Sequence, residues 1–280
     1  MKKGLILEGG ALRGLFTAGV LDVLMENGIT FDGVIGVSAG AAFGSNFKSG
    51  QKGRTLRYNL AFCRDKRYCS LRSLFKTGDL FGAEFCYRTL PLELDVFDFD
   101  TYRRNQTAFY AVATDVESGE AVYLDCAGDD LKILDIIRAS ASMPLVSRPV
   151  SIDGRRLLDG GIADSIPLAY FESIGYTKNL VILTKPLGYR KHKTPRVSRL
   201  LLRKLPAVAK AMAKRHLFYN ETVSSIEERE RRGELFVIRP DAPLPIGRTC
   251  HSKKKIQSVY DLGREVAERR IKELRQFLEQ

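Results

Sequence analysis

A serine between two glycines is the first feature of the chain that could do chemistry. Residues 36–40 read GVSAG, after a short apolar run and before a row of small residues. Gly36 and Gly40 would let the chain turn sharply from a strand into a helix, so that the Ser38 hydroxyl stands exposed above a sheet. The first N–H groups of that helix would add a positive dipole end beside the serine. The pattern predicts a nucleophile, although the same small residues also suit a tightly packed corner.

A second glycine turn, EGGALRG at 8–14, follows the first apolar run. It has some features of a dinucleotide-binding turn, with Asp32 near the distance expected for a ribose contact. However, Ala11 stands where that fingerprint has its second glycine, and Asp32 precedes the next strand instead of ending it. In the alternative interpretation, the N–H groups of Gly10 and Ala11 form an oxyanion hole, assisted by the charge of Arg13. A donor of this kind stabilises a developing oxyanion by about 3–4 kcal/mol.

The group that would take the serine proton is not obvious from the sequence. No histidine occurs between Ser38 and His192, and the other two are His216 and His251. A Ser…Asp…His order is formally possible with any of the three. A third glycine turn, DGG at 159–161, offers a carboxylate after a hairpin that has Asp153 and Gly154 at its tip.

Strands that alternate with helices surround these turns and predict an α/β fold with a mostly parallel sheet. In such sheets, sites form at the carboxyl ends of strands, which is where the glycine turns lie. The predicted strands are residues 4–8, 33–37, 108–115, 120–125, 179–184 and 235–239, together with the hairpin. The predicted helices are residues 15–27, 131–142, 198–214, 221–232 and 256–280, and a helix of small residues from Ser38.

The three turns together resemble the patatin-like phospholipase family. The motifs that show this resemblance are EGGALRG, GVSAG about twenty-five residues later, and ASASMPLVSRPVSIDGRRLLDGG at 139–161. The resemblance covers residues 4–172. It implies a three-layer α/β/α catalytic domain in which Ser38 is the nucleophile and Asp159 its partner. It also implies an oxyanion hole in the turn that contains Gly9, Gly10, Ala11, Arg13 and Gly14. Ala11 departs from the family's usual glycine, and an alanine at positive φ costs on the order of 1 kcal/mol.

The resemblance also answers the question of the base, because the family uses a Ser–Asp dyad. The carboxylate then needs a partly desolvated pocket that raises its pKa, and Gly160 and Gly161 would let the loop bring Asp159 close to Ser38. The implied function is a serine-dependent lipid acyl hydrolase, of phospholipase A or esterase type, with no metal and no cofactor. The alternative is a non-catalytic lipid-binding or regulatory protein that retains the fold.

Charge divides the chain into two parts. Residues 1–172 carry 20 Lys and Arg against 22 Asp and Glu, whereas residues 173–280 carry 25 against 11. We therefore expect a catalytic domain at 4–172 and a basic, mainly helical C-terminal region at 173–280 that packs on it or completes it. The basic region favours contact with an anionic membrane, although a solvated basic face explains the same charges. No nucleic-acid recognition motif is seen, and the sequence does not indicate an oligomeric state.

Three further expectations come from composition and local pattern. Five irregularly spaced cysteines and the lack of a long apolar run predict a cytoplasmic protein without a membrane span, with a peripheral position at the inner membrane surface as the alternative that the basic region favours. Glu8 is predicted to bond the neighbouring glycine loop. Residues 71–100 mix apolar residues with glycines and acids, which suits a packed insertion or a lid and acyl-binding element.

Overall fold

The computed structural model describes residues 1–195 and 201–280. The strands are β1 (Lys2–Leu7), β2 (Gly33–Val37), β3 (Ala108–Asp115), β4 (Ala121–Asp125), β5 (Val150–Ile152), β6 (Arg155–Asp159), β7 (Tyr176–Ile182) and β8 (Phe236–Ile238). The helices are α1 (Gly14–Glu26), α2 (Ala39–Lys48), α3 (Arg54–Phe62), α4 (Leu71–Thr77), α5 (Phe99–Arg104), α6 (Asp130–Ala141), α7 (Leu168–Ser173), α8 (Pro206–Arg231) and α9 (Lys253–Glu279). A π-helical segment covers Phe85–Leu94, and short 3₁₀ turns cover Ala11–Arg13 and Gly160–Ile162.

One mixed sheet forms the centre, in the order β5-β6-β3-β2-β1-β7-β8, with β4 also paired to β3. Strands β1, β2, β3, β7 and β8 run parallel, and β4, β5 and β6 pair antiparallel. Because side chains alternate along a strand, Leu5 and Leu7 join a core with α1, α6 and α9, whereas Ile6 joins a second core with α7 and α8. Helices therefore cover both faces, and the predicted three-layer α/β/α fold is confirmed.

Strand β3 brings the ends of two other strands together. Val112 pairs with Val37, the last residue of β2, and the next residue, Ala113, pairs with Asp159, the last residue of β6. Strand β4 pairs along 110–114, so β2 and β6 share the opposite edge of β3. Since β2 is parallel to β3 and β6 is antiparallel, their carboxyl ends meet head to head. Ser38 follows one of these ends and Asp159 stands at the other.

The C-terminal region shares the sheet and both helical layers with the rest of the chain. Strand β7 lies between β1 and β8, and α9 crosses α1 at a point where two glycines meet. A Cβ at Gly19 would overlap the Tyr260 carbonyl oxygen, and a Cβ at Gly263 would overlap that of Phe16. Beside this crossing, the Tyr260 hydroxyl donates a 2.5 Å hydrogen bond to Asp22. The close approach of the two backbones depends on both glycines.

The helical prediction for the basic region is wrong in one respect. Separate helices were expected at 198–214 and 221–232, but α8 is continuous from Pro206 to Arg231. Residues 215–220 contain neither glycine nor proline to break it, and Tyr219, Val223 and Ile226 continue one buried face at helical spacing. The predicted start, residues 198–200, lies outside the described residues. Across the two described ranges, the structure contains no helix of the length and apolarity that a bilayer crossing needs.

Candidate active site

Ser38 lies at the turn between β2 and α2 in a strained backbone conformation. Its φ is 55°, in the left-handed region that side chains other than glycine rarely adopt. The two flanking glycines have ordinary φ values and serve close packing instead: a Cβ at Gly36 would lie 2.5 Å from the Ala41 nitrogen, and one at Gly40 would overlap the Leu7 carbonyl. The strain is thus on the serine, and the glycines let the turn pack against its own helix and β1. This is the geometry of a nucleophile elbow.

Asp159 is buried beside that turn, with 5% of its surface exposed. Its Oδ1 accepts a 2.8 Å hydrogen bond from the Gly161 N–H. Burial raises the pKa of Asp159, while the Ser38 side chain, Arg215, the Gly161 N–H and Lys191 act in the opposite direction. A buried carboxyl with a raised pKa, whose ionised form a nearby serine side chain stabilises, has the properties that a general base needs.

The end of helix α6 fixes both residues, and neither of its contributions is predicted from the sequence. The buried Ser140 hydroxyl accepts a 2.9 Å hydrogen bond from the Ser38 N–H. Two residues further on, the Ser142 carbonyl accepts a 2.8 Å bond from the Asp159 N–H. The only signal was the ASASMP run at 139–144, because polar hydroxyls are unusual at positions where the helix is otherwise buried. These two bonds set the separation of the strand ends that carry Ser38 and Asp159.

The first glycine turn lies over the serine. A Cβ at Gly9 would be 3.1 Å from the Ser38 Cβ, and one at Gly14 would be 2.9 Å from the Ala39 Cβ, so both must be small. Ala11 has φ 49°, the positive value expected from the family's glycine. Within the described residues, the N–H groups of Gly10 and Ala11 donate no hydrogen bond. Both N–H groups are therefore free to donate to a group bound beside Ser38.

An apolar pocket of about 130 Å³ opens at Ser38. It starts at Ala11 and Leu12 and runs between α2, α3 and α6. The 71–100 insertion contributes a large part of the wall through Phe81, Cys86, Tyr87, Leu90, Pro91 and Phe97. The insertion is thus packed into the core and lines the cavity at the same time, which combines the two interpretations drawn from its sequence. The lining suits a hydrocarbon chain.

One sequence-based expectation about a neighbouring group differs from the structure. Glu8 does not bond the glycine loop: its carboxylate accepts from the Thr184 N–H at 2.6 Å and from the Tyr219 hydroxyl at 2.7 Å. Glu8 follows the last residue of β1, and its side chain lies against the segment after β7 and against α8, which are far from it in sequence. In the described part of the chain, no histidine forms a hydrogen bond with Ser38 or Asp159, and His251 instead contacts the Cys63 carbonyl at 2.5 Å.

Comparison with known proteins places the chain in a family. Residues 5–172 match the patatin-like phospholipase family, which is more than half of the chain, and the protein belongs to it. Residues 205–279 match a second family, described as a domain of unknown function (DUF6363).

Curated relatives agree with this membership. The uncharacterized protein YjjU of Escherichia coli is 28% identical over 93% of this chain and 74% of its own length. An uncharacterized NTE family protein of Mycobacterium tuberculosis is 29% identical over 59% of this chain and 44% of its own length. Lysophospholipase nte1 of Emericella nidulans is 29% identical over 61% of this chain but only 11% of its own length. The family and these relatives support a lipid hydrolase function.

Proposed function

We propose that the protein hydrolyses carboxylic esters of lipids through an acyl-serine intermediate, with Ser38 as nucleophile and Asp159 as general base. The observation that carries the proposal is the head-to-head meeting of β2 and β6, because it puts an elbow serine beside a buried carboxyl of raised pKa. The apolar pocket that opens at Ser38 supplies a place for the acyl chain.

The reaction follows from these groups. Ser38 Oγ attacks the ester carbonyl carbon while Asp159 accepts its proton, and the carbonyl oxygen becomes an oxyanion. The free N–H groups of Gly10 and Ala11, with that of Ala39 at the start of α2, are the candidate donors to this oxyanion. When the tetrahedral intermediate collapses, the C–O bond to the alcohol breaks and the alcohol takes the proton from Asp159.

Water completes the cycle. It attacks the acyl-serine with Asp159 again as base, the fatty acid leaves, and Ser38 recovers its proton. The carboxylate base that the resemblance to the family implies is compatible with the described residues, among which no histidine forms a hydrogen bond with Ser38 or Asp159. Glycine at 160 suits the arrangement, because a Cβ there would overlap the Val112 carbonyl of β3.

The dyad is tested by replacement of its members and of the histidines. Ser38→Ala should abolish ester hydrolysis, and Asp159→Asn should reduce it by at least about a hundredfold. The combined His192→Gln, His216→Gln and His251→Gln variant should stay within about tenfold of the parent. Turnover of nitrophenyl esters, with circular dichroism as the control for folding, measures all three.

Two results contradict the proposal. A histidine variant that loses as much activity as Asp159→Asn means that a triad operates. A well-folded parent protein that hydrolyses no ester and is not labelled by a fluorophosphonate is a non-catalytic lipid-binding protein.

A further inference from the structure

Five basic side chains gather beyond the carboxyl ends of β1 and β7, next to the candidate dyad. They come from the glycine turn, from the segment after β7, from α8 and from the segment after β8. They are Arg13, Lys185, Lys191, Arg215 and Arg248, here called the basic cluster. Burial lowers the pKa of four members, and positive charges of the cluster lower it further: Arg248 acts on three of these four, and Arg215 and Arg13 act on Lys191. Four of the five lie outside residues 4–172.

The basic cluster has too few carboxylates to balance it. Glu8 and Asp159 are the acidic residues that act on it, and Glu8 is already bonded by Thr184 and Tyr219. Over the described ranges 1–195 and 201–280, no member of the cluster forms an ion pair. The excess is three positive charges when every group is ionised.

Individual contacts also leave the cations unsatisfied. The Lys191 ammonium contacts the Ser165 hydroxyl at 3.4 Å and the face of the Tyr219 ring at 3.8 Å. The Nε atoms of Arg13 and Arg215 are buried, and neither has an acceptor among the described residues. Burial and the Arg215 charge lower the pKa of Lys191 to about 7. A buried cation without an acceptor is costly, and an anionic ligand would remove that cost.

The basic cluster lies within reach of the reacting ester. Arg215 Nη2 and Asp159 Oδ1 both face the space over Gly161, at 3.1 and 3.0 Å from the point where a Cβ would be. Ser165, which Lys191 contacts, donates a 2.9 Å bond to the Gly161 carbonyl.

The acyl pocket leaves Ser38 in another direction. Its walls come from α2, α3, α6 and the 71–100 insertion, and no member of the basic cluster lines it. An ester with its acyl chain in the pocket therefore has its alcohol part free to extend to the cluster.

We propose that the basic cluster is a subsite for a phosphate monoester, and that it makes the enzyme prefer acyl lipids with an anionic phosphate head group over those with phosphocholine. A doubly charged phosphate matches the excess of cations and the forked donors of the two arginines. A quaternary ammonium would meet a surplus of positive charge. This inference rests on the proposed function for its position beside an ester, but its binding test does not need turnover.

Binding is measured on Ser38→Ala protein by calorimetry, with decyl phosphate, decylphosphocholine and inorganic phosphate as probes. Decyl phosphate should bind at least about tenfold more tightly than either of the others. Three single variants should each lower the affinity for decyl phosphate by at least about fivefold: Arg215→Gln, Lys191→Gln and Arg248→Gln. Their affinity for decylphosphocholine should stay within twofold of the parent value. Arg248 is exposed, so its replacement should not disturb folding. Lys214→Gln, at an exposed position next to Arg215 on α8, is the matched control and should change nothing.

The number of protons taken up when decyl phosphate binds is a second measurement, and a purely structural role of Lys191 would not affect it. The groups that act on Lys191 are Arg215, Glu8, Asp159 and Arg13. At pH 8 most Lys191 is neutral, so decyl phosphate binding should take up close to one proton, and the uptake should vanish in Lys191→Gln. Calorimetry in buffers of different ionisation enthalpy measures it.

Several outcomes overturn the inference. Equal affinity for decyl phosphate and decylphosphocholine contradicts the proposed phosphate subsite. The same loss of decyl phosphate affinity in Lys214→Gln as in Arg215→Gln also contradicts it. Inorganic phosphate that binds as tightly as decyl phosphate makes it a free-phosphate site and not a lipid one. If decyl phosphate binds as expected while the parent protein hydrolyses no ester, the subsite stands and the hydrolase proposal fails.

Discussion

Replacing Ser140 by alanine tests whether helix α6 positions the nucleophile. Ser140 is fully buried, and its hydroxyl is the acceptor for the Ser38 N–H at 2.9 Å. The variant leaves that buried N–H without a partner, which costs about 1–3 kcal/mol of unfolding free energy. Because Ser38 is held at φ 55°, loss of the restraint should let the elbow relax. A shift of about 1 Å at a nucleophile can cost about a hundredfold in rate, so we expect kcat to fall about ten- to a hundredfold with little change in KM.

Urea unfolding measures the change in unfolding free energy. Hydrolysis of a nitrophenyl ester by the fully folded variant gives kcat and KM. Thr17→Val is the matched control, because the Thr17 hydroxyl is equally buried but has no partner among the described residues. That variant should keep its stability and its kcat. If Ser140→Ala loses stability but keeps kcat, the hydrogen bond serves the fold alone. If neither changes, the bond does not restrain Ser38.

Three further predictions concern the base, the elbow and the membrane. Since burial raises the pKa of Asp159, and since a base must be ionised to act, kcat/KM should fall as pH drops through a pKa above the usual aspartate value near 3.9. A pH–rate profile without that limb contradicts the assignment of Asp159 as base. Gly40→Ala would put a Cβ against the Leu7 carbonyl, so urea unfolding should show a loss of unfolding free energy above about 2 kcal/mol. The control Gly247→Ala, whose Cβ would have its nearest neighbour at 3.4 Å, should change the unfolding free energy little. Sedimentation with vesicles should show more binding to phosphatidylglycerol than to phosphatidylcholine, weaker at high salt. Phe75→Asp, on the exposed face of α4, should reduce that binding, and equal salt-insensitive binding to both lipids would exclude electrostatic recruitment.

The sequence predicts those parts of the fold that local pattern encodes. The strands and the Asp153–Gly154 hairpin come from apolar runs and turn residues, and α1 ends before Gly28 as the sequence indicated. The merging of two expected helices into α8 was not predicted, because the choice depends on how Tyr219 and its neighbours pack against the sheet. The helical spacing of Tyr219, Val223 and Ile226 is compatible with one continuous helix, but it does not exclude a break at residues 215–220.

In the candidate site, too, local sequence pattern predicts some features and not others. The glycine turns and Ser38 carry signatures of fixed spacing, so the sequence indicates them. The partners that hold them are separated by long distances: Ser140 lies 102 residues from Ser38, and Tyr219 lies 211 residues from Glu8. Such pairs follow from sheet order, which a single sequence does not specify. The basic cluster was visible only as an excess of charge after residue 172, because its members converge through three different loops and α8.

The crossing of α1 and α9 has a consequence for how the protein is made. Asp22 and Tyr260, which bond across that crossing, are 238 residues apart. At a synthesis rate of roughly 5–20 residues per second, the ribosome needs about 10–50 s to deliver the partner after α1 has emerged. Throughout that time the apolar side of α1, which includes Phe16 and Val20, lacks the helix that covers it in the finished fold. A nascent chain in this state is a substrate for chaperones, and mutations that weaken the glycine crossing should appear first as a greater demand for them during translation.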